Sequence, residues 1–405
     1  MTPRHQRPLG RRKLLVALGG AVVAAPVAAA VAPHALAEVG SDSGPAAPEA
    51  RTAGALPLTI VNSTGVFGDA DVHVYIVGNQ GGRQVRVTPD GTVAPVALSD
   101  NGADGYTDYA ISLSGGSGGT RLSLPYLSGR IYVSLGEKLK FKVVADGAGN
   151  PALQYPAGWV ESDPNHGVLH DCAEFTYNSA GMFCNTTMVD MFSVPLAIRL
   201  TGAKDQTTGT VRAGGRAAAF DAVRQVEEFA PLVVDDTRII APGHGLDAGL
   251  FPEDYLAPYI DEVWSTYTGK DLRITTHAGT FTGRVRGDRL TFDGPARVSF
   301  ARPSTRDVLF CDGALAAPND GTTGPVAAVL GAGFNRSTLL SSAAQPTADA
   351  AAFYGTALTN HYSKAVHAAT EDGRAYGFAF DDVADFASYI QDTAPTGFRL
   401  TLTAF

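Results

Sequence analysis

Two acidic residues stand out by the company they keep. In the stretch 159–195, WVESDPNHGVLHDCAEFTYNSAGMFCNTTMVDMFSVP, Glu174 and Asp190 lie among hydroxyls, amides and aromatic rings. A carboxyl pair can cleave an acetal when one member, protonated, donates to the leaving oxygen and the other, ionised, activates water or attacks the carbon. Short polar side chains and aromatic faces nearby suit a sugar substrate. The pair alone carries little weight in a chain with 40 Asp and Glu.

The elements that would position these groups are readable from periodicity. In EFTYN, strand alternation puts Glu174, Thr176 and Asn178 on one face and turns Phe175 and Tyr177 toward a core. A turn around Gly181 could return the chain so that Asp190 faces Glu174 across a groove. From 56 to 205 short alternating runs such as DVHVYIVGN, GRIYVSLG and PLAIRLTG, broken by Asp90-Gly91 and SGGSGG, predict a β-sandwich or barrel domain carrying the pair. From 206 to 370 the texture is mixed α/β. Arg216, Phe220, Val223, Val226 and Phe229 recur at helical spacing, and further helices are expected at 253–267, 323–335 and 347–368, with strands LRITTH, TGRVRG and RLTFDG between them. The tail 371–405, from YGFAFDDV to GFRLTLTAF, alternates again and is expected to return to the first domain.

Composition sets the frame. The 405 residues are 45% hydrophobic and 18% charged with a net charge of −9, enough for more than one core and without the basic field that nucleic acid requires. Residues 1–37 read as a cleaved export signal of twin-arginine type: Arg11-Arg12-Lys13 precedes an Ala-rich apolar run and Ala35-Leu36-Ala37. Residues 38–55 read as a disordered linker. The mature protein is therefore expected outside the cell and off the membrane, since no later run approaches the ~20 apolar residues of a span. Among Cys172, Cys184 and Cys311 at most one bridge can form; Cys172–Cys184 around the acidic segment and three buried thiols stay open as alternatives.

Trp159, Asp163-Pro164-Asn165, Glu174-Phe175-Thr176-Tyr177-Asn178, Asn185-Thr186-Thr187, Val189-Asp190, Phe192 and Pro195-Leu196 together resemble the signature of glycoside hydrolase family 64. The resemblance extends to DVLFCDG (307–313), GFNRSTLL (333–340), NHYSKAVH (360–367) and YGFAFDDV (376–383), nearly the whole mature chain. It implies a mainly β, thaumatin-like sandwich or barrel domain facing a mixed α/β domain across a wide open groove. It also implies an inverting, endo-type enzyme that cuts linear β-1,3-glucan and releases laminaripentaose. Glu174 then matches the general acid, kept protonated by apolar surroundings, and Asp190 the general base. Thr176, Asn178 and Thr187 match positions that hold sugar hydroxyls, and Phe183 stands where relatives carry Trp, keeping the stacking face and losing the indole donor.

The chain is expected to act as a monomer on β-1,3-glucan, without cofactor or metal. His166 and His170 lack further ligands at a zinc spacing. Asp381 and Asp382 could line the groove or cap the following segment. Gly331-x-Gly333 continues to no third glycine, and Ser304, Ser337 and Ser341 lack a nucleophile elbow. The competing readings are a glucan-binding or antifungal thaumatin-like protein that does not cut, and a cell-surface sandwich that docks another protein.

Overall fold

The computed structural model describes residues 54–405 apart from Gly115 and Ser117, so the export signal (1–37) and nearly all of the linker (38–55) lie outside the described residues. The chain is mainly β. A five-stranded sheet runs in the order Asp205–Thr208, Leu196–Thr201, Gly397–Leu402, Leu56–Asn62, Thr120–Leu124. The last strand of the chain is inserted parallel to the first, with Leu58 opposite Phe398 and Ile60 opposite Leu400. An eight-stranded sheet follows the path Tyr389–Asp392, Gly181–Asn185, Leu169–Asn178, Leu127–Leu135, Val72–Gln80, Arg83–Val87, Val93–Pro95, with Ile111–Ser112 pairing off it.

One core joins the two sheets. Leu58, Ile60, Ile198 and Leu400 from the first pack with Val74, Ile76, Ile131, Val133, Ala173 and Phe175 from the second, all essentially dry. At the centre Gly78 faces Gly129 so closely that a Cβ on either would stand 2.6–2.7 Å from the other's Cα, a distance no side chain tolerates. The alternation of Ile131-Tyr132-Val133 splits their side chains. Ile131 and Val133 enter the sandwich, while Tyr132 turns outward onto a smaller cluster with Tyr75, Phe141 and Leu153.

The second core is built from the helices Gly215–Arg224, Ala257–Gly269, Thr323–Asn335 and His361–Ala369 and a five-stranded sheet in which Leu272–Thr276, Gly279–Arg286, Arg289–Asp293 and Val298–Ala301 are antiparallel and Ala344–Gln345 pairs parallel to the first of them. Gly331 and Gly333 lie inside a helix, where a Cβ would meet Cys311 Sγ at 2.9 Å and Leu339 at 2.7 Å; they are close-packing positions. A three-stranded ribbon ties the two halves: Met191–Phe192 pairs with Arg238–Ile240, which pairs with Val233–Val234.

Two expectations are corrected, and of the two alternatives left open for the cysteines the structure has the three buried thiols. The helix expected over 347–368 forms only from His361, because Tyr354 takes a left-handed φ of 56° and Asn360 caps the later start by accepting from the Ser363 N–H at 3.0 Å. YGFAFDDV is not a strand despite its alternation. Its Asp381 is drawn inward to Arg336 and His367, and Ala384 and Asp385 have φ of 64° and 59°. No disulfide forms, since Cys172 points to the Tyr132 side of the sheet, Cys184 enters the sandwich, and Cys311 packs with Ala332 and Phe378.

Candidate active site

The site grows from the outer face of the eight-stranded sheet. Leu169–Asn178 pairs with Leu127–Leu135 on one side and Gly181–Asn185 on the other, setting Glu174 opposite Arg130 and Asn185. Side chains of paired residues share a face, so the guanidinium reaches the carboxylate directly. Arg130 Nε and Nη2 both donate to Glu174 Oε1, at 3.0 and 2.8 Å, and Nη1 donates to the Tyr132 hydroxyl at 3.1 Å. Asn185 Nδ2 donates to Oε2 at 3.4 Å. The apolar setting expected for Glu174 is thus not what the structure shows: Phe175 and Tyr177 turn to the sandwich core, and a half-buried cation takes their place.

Asp190 arrives by a different route. The chain leaves Gly181–Asn185, bridges Thr187 to Tyr376 and enters the ribbon, where the Ala241 N–H donates to the Asp190 carbonyl at 3.1 Å. The same pairing brings the short helix Pro242–Asp247 over the site. His244 Nε2 lies 2.7 Å from Asp190 Oδ1, and Arg130 Nη2 stands 3.9 Å from Oδ2. Because that same Nη2 is 2.8 Å from Glu174 Oε1, the facing oxygens of the two carboxyls are no further apart than these two distances laid end to end. The structure therefore brings Glu174 and Asp190 together around one guanidinium.

Burial alone would lower the affinity of Arg130 for its proton, but Tyr132, Glu174, Cys172 and Asp190 around it more than offset that and hold its charge firmly. Two small cavities meet at Asp190. One, of about 20 Å³, is lined by Arg130, Tyr132, Trp159, His170, Thr187 and Asp190; the other, of about 10 Å³, by His244, Phe310 and Asn360 among others.

The other predicted residues fall into two groups. Thr176 and Phe183 are cross-strand partners on the Glu174 face, with Thr176 hydrogen-bonded to Ser128 at 2.9 Å and Asn178 exposed at the strand end. Thr187 borders the larger cavity, 8% exposed. Phe183 is 6% exposed, so only a small part of its ring is open to a ligand.

Asp163 and Asn165 are structural. Asp163 accepts from both nitrogens of Asn165, whose side-chain oxygen Oδ1 accepts from the Lys140 N–H. His166 and His170 each use Nδ1 on a backbone carbonyl, of Gly158 and Val168. Burial drives the His170 ring down to about 3, reinforced by Arg238, so it stays neutral. Asp381 is wholly buried, while its neighbour Asp382 is half-buried and its carboxyl is pushed up to about 6 by burial, with Asp381 adding to the effect.

Sequence reasoning missed Arg130, His244 and the placement of Trp159, whose ring stacks on His244 at 4.5 Å and 22°. Arg130 left a weak signal, an arginine on the outward-alternating face of GRIYVSLG beside Tyr132; His244 left none in its own segment.

The family model for β-1,3-glucanase of glycoside hydrolase family 64 matches residues 54–402. Glucan endo-1,3-β-glucosidases of Arthrobacter sp. (strain YCWD3) and Cellulosimicrobium cellulans are each 34% identical over 400 residues, 93% of this chain and 70% of theirs. Among solved structures, a laminaripentaose-producing β-1,3-glucanase in complex with laminaritetraose superposes with a TM-score of 0.78 at 35% identity, over 87% of this chain and 99% of that one. The β-1,3-glucanase domain of Clostridium beijerinckii does so with 0.77 at 30%, over 86% and 98%. Matched along nearly all of its described length, the chain belongs to glycoside hydrolase family 64, the β-1,3-glucanases.

Proposed function

We propose that the chain is an exported endo-β-1,3-glucanase that hydrolyses linear β-1,3-glucan with inversion, Glu174 serving as general acid and Asp190 as general base. The observation that carries this reading is the convergence of the two carboxyls on Arg130 Nη2 from two separate elements, a strand of the sandwich and the ribbon that joins the halves. In the proposed reaction Glu174 gives its proton to the glycosidic oxygen as the bond from that oxygen to C1 breaks. Asp190 takes a proton from the water whose oxygen bonds to C1 from the opposite face. Arg130 touches both groups and compensates the negative charge that moves between them during turnover.

The substrate reading rests on the relatives, one of which is solved with laminaritetraose, and on the polar strip Ser128, Thr176 and Asn178 that runs away from Glu174 along the sheet. We assign glucose units to that strip, with Thr187 at the cleavage point and the exposed rim of Phe183 as an apolar contact. The site then lies in a thaumatin-like groove between the two domains, 56–205 with 371–405 on one side and 206–370 on the other. Release of laminaripentaose and action as a monomer belong to the same reading. Export rests on residues 1–37, and among the described residues no helix is long and apolar enough to cross a membrane.

The test is the appearance of reducing ends from laminarin and curdlan incubated with the purified mature chain. Soluble oligosaccharides centred on five glucose units are expected. Retention on curdlan with no release of sugar would instead establish a glucan-binding protein.

A further inference from the structure

His244 belongs to the half of the molecule that holds neither carboxyl, yet its Nε2 lies 2.7 Å from Asp190 Oδ1. Its ring is held by two aromatic neighbours. Trp159 stacks on it at 4.5 Å and Phe310 meets it edge-on at 5.6 Å and 83°, leaving it 5% exposed. Gly243 permits this approach, since a Cβ there would stand 3.0–3.2 Å from the Phe310 ring. The backbone is held too, because Ala241 at the start of the same helix donates to the Asp190 carbonyl. An imidazole clamped between two aromatic rings cannot follow a moving carboxylate; the carboxylate must conform to it.

We propose that His244 is a positioning residue for the base: by holding Oδ1 it orients Asp190 so that Oδ2, on the Arg130 side, receives the proton of the hydrolytic water. This rests on the reading of Asp190 as general base. The cavity of about 20 Å³ bounded by Asp190, Arg130, Tyr132, Trp159 and Thr187 has the room one water needs, and its mostly apolar wall includes the polar residues Asp190, Arg130, Tyr132 and Thr187. In the step so arranged, one water O–H bond breaks, its proton goes to Oδ2, and the oxygen lone pair forms the new bond to C1. The bond from C1 to the leaving oxygen breaks, and that oxygen takes the Glu174 proton. His244 exchanges no proton; it supplies one N–H donor and a fixed direction. Trp159 contributes indirectly through the stack, linking the wall that lines the cavity to the group that aims the base.

The experiment compares His244→Phe, which keeps a flat ring and loses the donor, with His244→Gln, whose amide can occupy the Nε2 position and donate. Both are assayed beside Asp190→Asn on a β-1,3-linked gluco-oligosaccharide, with thermal melts of each. Loss of one hydrogen bond to a charged group predicts kcat lower by about 10- to 100-fold in His244→Phe, KM within about twofold of the native enzyme, and kcat substantially recovered in His244→Gln. Native kcat in His244→Phe, a change in KM alone, or equal loss in both variants would overturn the proposal. Should His244→Phe not fold, the Gln variant decides: kcat within about tenfold of native supports the role, and a loss as deep as that of Asp190→Asn overturns it. Full activity in Asp190→Asn would instead remove the base assignment on which the proposal stands.

Discussion

Glu174→Gln and Asp190→Asn are each expected to lower kcat on laminarin by about 10²–10⁴-fold, the range that a positioned acid or base contributes, while leaving the melting curve close to native. Each replacement keeps the size of the side chain and removes the ability to give or take the proton. At position 174 the amide can still accept from Arg130 through its oxygen, and at 190 it can still accept from His244. The two losses should not multiply, because the acid and base act in one step. A double variant no slower than the worse single one is therefore the stronger form of this result. Activity within twofold of native in either single variant would remove that residue from the reaction.

A second large effect is expected at a carboxylate that is neither acid nor base. Asp381, wholly buried, accepts from Arg336 Nη2 at 3.0 Å, His367 Nε2 at 2.8 Å and the Gly377 N–H at 2.8 Å. Arg336 is itself 2% exposed and also donates to the carbonyls of Asp381 and Val383. Removing one partner of such a pair strands the other charge in a dry site, so Asp381→Ala should cost about 3–5 kcal/mol of unfolding free energy. Urea denaturation of the two proteins measures this.

The pH dependence gives the sign. Burial alone would raise the Asp381 carboxyl, but His367 and Arg336 hold it below the usual carboxylate range. A lowered carboxyl contributes stability that is fully present above its unfolded value of about 4 and is lost as pH falls through the folded value. The gap between native and Asp381→Asn should accordingly be constant near neutrality and close in strong acid. A gap independent of pH would mean that the carboxylate is not the source.

How far the sequence showed all this differs element by element. The faces of EFTYN could be read because strand alternation is a local rule, and Glu174 and Phe175 fall on opposite sides as alternation requires. Arg130 could not be joined to Glu174, because nothing in GRIYVSLG states which strand it pairs with; the register that opposes residues 44 apart is a property of the whole sheet. His244 was further out of reach, since it arrives on a helix from the second half and matters only once the ribbon has folded.

The same logic explains the misread strand at YGFAFDDV. Its alternation is real, but Asp381 serves Arg336, His367 and Ser363, and Phe378 packs on Cys311 and Ala332 instead of entering a sheet. The distal segments GFNRSTLL and NHYSKAVH supply those partners. There Asn335 binds the Val308 carbonyl and accepts from Asn360, which caps the helix bearing Ser363 and His367.

In the proposed reaction Glu174 and Asp190 act as acid and base across a water, without a covalent sugar on the enzyme. The most direct measurement is the configuration of the first-formed product from a β-1,3-linked gluco-oligosaccharide, followed by proton NMR before mutarotation. Inversion predicts that the α-anomer appears first and then relaxes toward the equilibrium mixture. A first-formed β-anomer would show that one carboxylate attacks the sugar itself, and would contradict the assignment of Asp190 as a base acting through water.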